Sequence, residues 1–235
     1  MRSLRRAALP VLVLLLPAAG RAEEQVLHRA HPELADRLSG LRTVGIVAPE
    51  VKVYELTASN QPVFRPDWSE QGKEAVTASL EALLKARGVE PRRFEPATPE
   101  GKDELREVKL LYQSVVAGAL QATVANQFPA KVARFEYSLG DLSAMLEAEH
   151  LDAVVFTFGQ GAVSSGGRKA VQFMSALLSG AASSGIDRLL VGVVDRRGDL
   201  LWFGTFASTS SDLRDPASAG QFVQTLAHDL PAVRR

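Results

Sequence analysis

Residue types and spacing come nearest to chemistry in the stretch Gly159-Gln-Gly161-Ala-Val-Ser164-Ser165-Gly166-Gly167-Arg168-Lys169. Glycines there would let backbone amides approach a ligand. Arg168 and Lys169 at the start of a following helix would add positive charge, a combination suited to an anion. The candidate ligand-loop residues are therefore Gly159, Gly161, Ser164, Ser165, Gly166, Gly167, Arg168 and Lys169. Neither nucleotide motif is complete, however. A dinucleotide loop wants a third glycine where Ser164 stands, and a phosphate loop wants lysine straight after Gly166, where Gly167 and Arg168 intervene. The same composition also suits a plain connector.

Nucleophilic chemistry is the next reading. Ala162-Val-Ser164-Ser-Gly166 is a variant of the hydrolase elbow, and Asp195, Asp199 and His228 follow it in the chain. That mechanism needs its serine on a sharp turn directly after a strand, whereas Ser164 lies several residues beyond the strand end predicted at Phe158. His150 sits between a helix and a strand, where it caps the last carbonyls. Glu147 and Glu149 point apart on a helix and make no paired-carboxylate site. His28 and His31 are near neighbours, but Pro32 disrupts the geometry and no further ligand completes a metal set. With no catalytic, metal or cofactor motif complete, the expectation is a chain that is not an enzyme and carries no cofactor.

The elements that position these residues centre on Ile186 to Ser208. Ile-Asp-Arg-Leu-Leu-Val-Gly-Val-Val-Asp and Leu-Leu-Trp-Phe-Gly-Thr-Phe-Ala-Ser flank a short polar segment holding Gly198, which predicts a hairpin. Leu189 to Val194 is apolar on both alternating faces, so it should lie inside a covered sheet. Trp202, directly after the turn, should be packed, with its indole nitrogen paired or at the sheet edge. Strands are expected over 42–48, 51–56 and 152–158. Helices are expected from Asp67, whose Glu70 completes a capping pair, to Gly88, and from Thr98-Pro99 to near Phe128. The second should bury Leu105, Val108, Leu111, Val115, Ala119 and Ala122, with Lys102, Asp103, Arg106 and Lys109 on its solvated side. Asn60 to Pro66 reads as turn. Ser138 and Asp141 cap a short helix carrying Leu142, Met145 and Leu146, a small-residue helix spans about 168–179, and Asp215-Pro216 starts a last one. This order predicts a single α/β domain with a mixed sheet flanked by helices, a C-terminal hairpin and a terminal helix.

Arg2, Arg5 and Arg6 precede an apolar run from Ala7 to Ala19, and Gly20-Arg-Ala22 offers a signal-peptidase site. Residues 1–22 are expected to be cleaved, 23–41 to form a helical lead, and 42–235 the domain. Export to the periplasm or beyond follows, with no integral membrane span after processing. The chain has 235 residues and no cysteine, so in an oxidising compartment its fold must rest on the core, and no lipid can be attached through a thiol. Lys plus Arg and Asp plus Glu each number 27, which removes any net field toward nucleic acid.

Val44-Gly-Ile-Val-Ala-Pro, Tyr137-Ser-Leu-Gly-Asp-Leu before Leu151-Asp-Ala-Val-Val-Phe, and Leu190-Val-Gly-Val-Val-Asp with Gly198-Asp-Leu-Leu-Trp resemble the CsgG-like bacterial envelope proteins, whose fold is similar to the N-terminal domain of TolB. The resemblance implies a non-enzymatic assembly or scaffolding factor with an envelope protein as partner, or a homo-oligomer. Against that pattern, this chain lacks a lipid-bearing cysteine and any clear pair of pore-forming hairpins. The competing reading is a small-molecule or anion-binding protein, or a weak hydrolase, using the 159–169 loop.

Overall fold

The twelve-residue strand β6 (Ala153–Ser164) organises the sheet. The structure, a computed structural model, describes residues 26–57, 59, 61–125, 129–164 and 187–233. The predicted cleaved segment 1–22, the expected helix at 168–179, and Ser165 to Lys169 of the candidate loop lie outside the described residues. On one side β6 pairs antiparallel with β7 (Asp187–Asp195), which pairs with β8 (Leu200–Ser208), which pairs with β1 (Val26–Ala30) at the edge. On the other side β6 meets two parallel strands in turn, β2 (Thr43–Val47) beside its first half and β3 (Glu50–Leu56) beside its second. β5 (Glu90–Phe94) lies parallel outside β2, and β4 (Pro62–Phe64) antiparallel outside β3. The result is an eight-stranded mixed sheet.

Helices cover both faces, as the all-apolar run in β7 requires. Leu189, Val191 and Val193 join the core formed by α1 (Leu34–Ser39), α2 (Pro66–Ala86) and α6 (Pro216–Leu226). Val194 joins the opposite core, with residues of α3 (Pro99–Val124) and α5 (Ser143–Ala148). A bulge in β8 shifts the register between Val193↔Trp202 and Val194↔Leu200. Leu201 is the extra residue, so Leu201 and Trp202 both enter the α2 and α6 core. The bulge carbonyl at Leu201 accepts the His31 amide at 2.8 Å, which fixes the turn into α1.

Several boundaries differ from expectation for identifiable reasons. The expected helical lead begins as strand β1, whose amides and carbonyls complete the edge of β8 before α1 forms. The expected turn at 60–66 contains the short strand β4. α2 starts at Pro66 rather than Asp67 and has no side-chain cap, because the Asp67 carboxylate accepts from the Arg65 guanidinium at 3.0 and 3.2 Å instead. α3 has its Thr98 cap, accepting from the Gly101 amide at 3.1 Å, but ends at Val124. A short helix α4 (Pro129–Arg134) follows it. The buried stripe of α3 is Leu105, Val108, Tyr112, Val116 and Ala119, leaving Leu111 42% exposed. Tyr112 draws that face inward: its ring stacks on Phe156 and Phe158 and occupies the space left by Gly192.

Candidate functional site

The glycines of the predicted ligand loop are strand residues. β6 continues past Phe158 to Ser164, and neither Gly159 nor Gly161 has positive φ. A Cβ on Gly159 would lie 2.7 Å from Leu189, and one on Gly161 would lie 2.9 Å from the Asp187 carboxylate. These positions lack side chains so that β3 and β7 residues can close over β6, which is a packing demand. Of the candidate loop residues, Gly159, Gly161 and Ser164 are therefore brought into the sheet.

The hydrolase arrangement does not assemble. Asp195 is paired with Ala153 at the start of β6, whereas Ser164 ends the same strand, eleven residues on and about 36 Å away at ~3.3 Å per residue. Asp195 and Asp199 serve the hairpin turn, where Arg37 of α1 reaches Asp199 at 2.7 Å and Asp195 at 3.6 Å. His228 contacts Asp229 at 2.5 Å through Nε2 and the Thr225 carbonyl at 3.1 Å through Nδ1. His28 of β1 reaches the other oxygen of Asp229 at 2.5 Å, so the two imidazoles clasp one carboxylate and pin β1 to the C-terminal turn. His31 instead accepts from the Glu33 amide. His150 has positive φ at the α5 exit, and its amide donates to Glu147. Among the described residues no group of three or more His, Asp or Glu is arranged to hold a metal.

What the end of β6 does meet is Asp187, a buried carboxyl that was read only as part of the hairpin run. It accepts from the Ala162 and Leu213 amides at 3.2 and 3.1 Å and from the Ser211 hydroxyl at 3.3 Å. Burial pushes its pKa up to about 6, against the pull of those donors. The segment it anchors is held further by Trp68, whose ring contacts both the Arg65 and the Arg214 guanidiniums, each 4.2 Å away. The neighbouring cleft, about 110 Å³ and lined by Ser208, Ser210, Ser211 and Ser218, has hydroxyls but no base. Asp187 is a structural anchor with a pH signature.

Its ionisation costs the folded state more than the unfolded one, so its contribution to stability is greatest below about 3.8 and falls as pH rises through about 6. Relative to Asp187→Asn, the parent is expected to lose about 2–3 kcal/mol between pH 4 and pH 7.5. Urea unfolding of both proteins at the two pH values checks this. A difference independent of pH would contradict it.

A roomier concave space lies elsewhere, where β2 gives way to β3 at Ala48-Pro49. β5 accompanies β2 only to Val47↔Phe94, and β4 joins β3 only from Tyr54↔Phe64, so the outer edge between them has no strand alongside among the described residues. The chain leaving β5 enters α3 on one face, while the chain leaving β3 and β4 enters α2 on the other. A crevice at the carboxyl ends of parallel strands, where connections diverge to opposite faces, is the usual ligand position in open α/β sheets. Here it opens on both faces, about 520 Å³ on the α3 side and about 450 Å³ on the α2 side.

The two sides differ in charge. Toward α3 the lining carries Lys52, Lys102, Arg106 and Lys109 against Glu50 and Glu95, over apolar Val47, Phe94, Leu105 and Leu110. Lys109 pairs with Glu50 at 2.5 Å, and Lys102 pairs with Glu95 at 2.8 Å, holding that carboxyl below its usual range. Toward α2, carboxylates predominate: Glu70, Glu74 and Glu95 against Lys73 and Arg93. Arg93 donates to both Glu74 and Glu81. Neither lining supplies a histidine or a nucleophile paired with a base; what both offer a ligand is charge beside apolar surface. Sequence inspection missed it because Lys102, Arg106 and Lys109 recur at helical spacing and read as a solvated face. They line a crevice only because Tyr112 sets the roll of α3.

No family model and no curated protein matches this chain. Among solved structures, the PelC dodecamer from Paraburkholderia phytofirmans is similar over 90% of this chain and 99% of its own, with 15% identity and a TM-score of 0.41. A point variant of that protein is similar over 89% and 99%, with 14% identity and a TM-score of 0.40. Among the described residues no helix is long and apolar enough to cross a membrane.

Proposed function

We propose that this chain is a non-enzymatic binding and assembly module of the bacterial cell envelope, exported to the periplasm or beyond, which engages a protein partner along its β3–β4 edge. The observation that carries the reading is β4 itself. Val63 and Phe64 are 46% and 48% exposed on a sheet edge that has no further strand beside it among the described residues. Folded proteins blunt such edges with charge, proline or short strands, and three-residue β4 carries Pro62 but no charge, while Phe64 packs at a tilt against Tyr54 to present an apolar ridge. Partners that add a strand to an open edge gain main-chain hydrogen bonds there and set specificity through alternate side chains. The Arg-led apolar segment with its Gly-Arg-Ala site, and the resemblance of the strand motifs to those of CsgG-like proteins, support the envelope part of the proposal. A second copy of the chain is one form such a partner takes.

The test is affinity capture from the native envelope, together with sedimentation of the purified chain beginning at Glu23. Val63→Lys with Phe64→Glu should abolish the captured partner or the self-association. Both residues are half exposed, so stability should stay within about 0.5 kcal/mol of the parent. Unchanged capture by a folded double variant would refute the edge as the contact.

A further inference from the structure

We propose that the α3 side of the crevice between β2, β3 and β5 binds a small amphiphilic anion, a carboxylate or phosphate head on an apolar body. This goes beyond partner binding, since it uses a different surface. Its space of about 520 Å³ is within the usual range for small-molecule sites of about 300–1,000 Å³. The floor is apolar: Val47, Phe94 and Leu105 are buried core residues whose edges reach the opening. Leu110 stands at the rim 59% exposed, an apolar side chain that solvent does not favour and an acyl or aryl body would cover.

Charge decides the sign of the head group. Lys109 and Lys102 are already matched by Glu50 and Glu95. Lys52 makes no ion pair among the described residues, and Arg106 has only an exposed contact with Asp103, three residues before it on α3. These two cations are the excess charge of the lining, on opposite walls, one from β3 and one from α3. An anion between them gains from both, and water is excluded on its apolar side, which strengthens the attraction. The α2 side of the same crevice shows the contrast: Lys73 and Arg93 there are both paired with glutamates, so that lining offers an anion no spare cation.

Calorimetric titration of the purified chain tests the assignment with four probes: decanoate, decyl phosphate, inorganic phosphate and decyltrimethylammonium. Both decyl anions should bind saturably and weaken with added salt. Phosphate alone and the decyl cation should bind at least tenfold more weakly. Lys52→Glu with Arg106→Glu should lower the decyl-anion affinity at least tenfold, about 1.4 kcal/mol, with an unchanged circular dichroism spectrum. Leu110→Asp, at an exposed rim position, should produce a comparable loss and serves if the double variant fails to fold. Equal binding of decyl cation and anion would overturn the proposal, as would binding of inorganic phosphate as tight as decyl phosphate, or affinities unaffected by these substitutions. Preference for decanoate or for decyl phosphate identifies the head group.

Discussion

Trp202→Ala is expected to lower unfolding free energy by about 3–5 kcal/mol, measured by denaturant unfolding, because it removes the largest fully buried side chain among the described residues. Trp202 is 1% exposed. It lies opposite Val193 of β7 and Ala30 of β1, over Gly204, where a Cβ would approach within 2.7 Å of the indole ring. The bulge at Leu201 is what turns the ring into the α2 and α6 core, so that core cannot collapse into the vacancy without undoing the bulge. The expectation that the indole nitrogen is paired or at the sheet edge is corrected here: β8 lies inside the sheet between β7 and β1, and Nε1 is buried with no partner among the described residues. Trp202→Phe should therefore cost much less than alanine, since it also removes an unsatisfied donor. A loss below about 1 kcal/mol for Trp202→Ala would mean that the ring is not core.

Gly198→Ala should cost about 3 kcal/mol, and the same unfolding experiment reads it. Gly198 turns the β7–β8 hairpin with φ of 77°, a conformation that an L side chain resists. Space is the greater obstacle, because an added Cβ would fall on the carbonyl of Gly140 and collide with backbone. That contact joins the hairpin to the segment before α5, where Leu139 donates to the Gly198 carbonyl at 2.8 Å and Leu142 donates to Arg196 at 2.9 Å. The turn cannot back away without losing these bonds. A change under about 1 kcal/mol would show that the segment yields easily.

Local signals in the chain were legible and distant ones were not. The hairpin could be read because two β-rich runs flank Gly198, and the caps at Thr98 and Asp215 because each combines an acceptor side chain with a following proline. β1 was not legible: five residues are too few to separate strand from helix spacing, and its strand state comes from the edge of β8, more than 170 residues on. Gly159 and Gly161 looked like loop formers because glycine has two uses, and only the approach of Leu189 and Asp187 shows which applies. Leu105, Val108 and Ala119 of the α3 stripe are buried as expected, but its middle was misplaced by one residue, Leu111 and Val115 standing for Tyr112 and Val116, since Gly192 and Tyr112 define it together. The crevice joins residues from Val47 to Gln113 across three strands and a helix, so no motif could announce it. Asp187 offered a weak signal, a single carboxylate at the head of an otherwise apolar strand.

The central claim is that a protein partner docks on the open β4 edge, and site-specific photocrosslinking tests it most directly. A benzoylphenylalanine replacing Phe64 in the full-length chain would be irradiated in intact cells, with the same group at exposed Lys85 on α2 as comparison. The account predicts a discrete crosslinked product from position 64 and none from position 85. Crosslinking from 85 with none from 64 would contradict it.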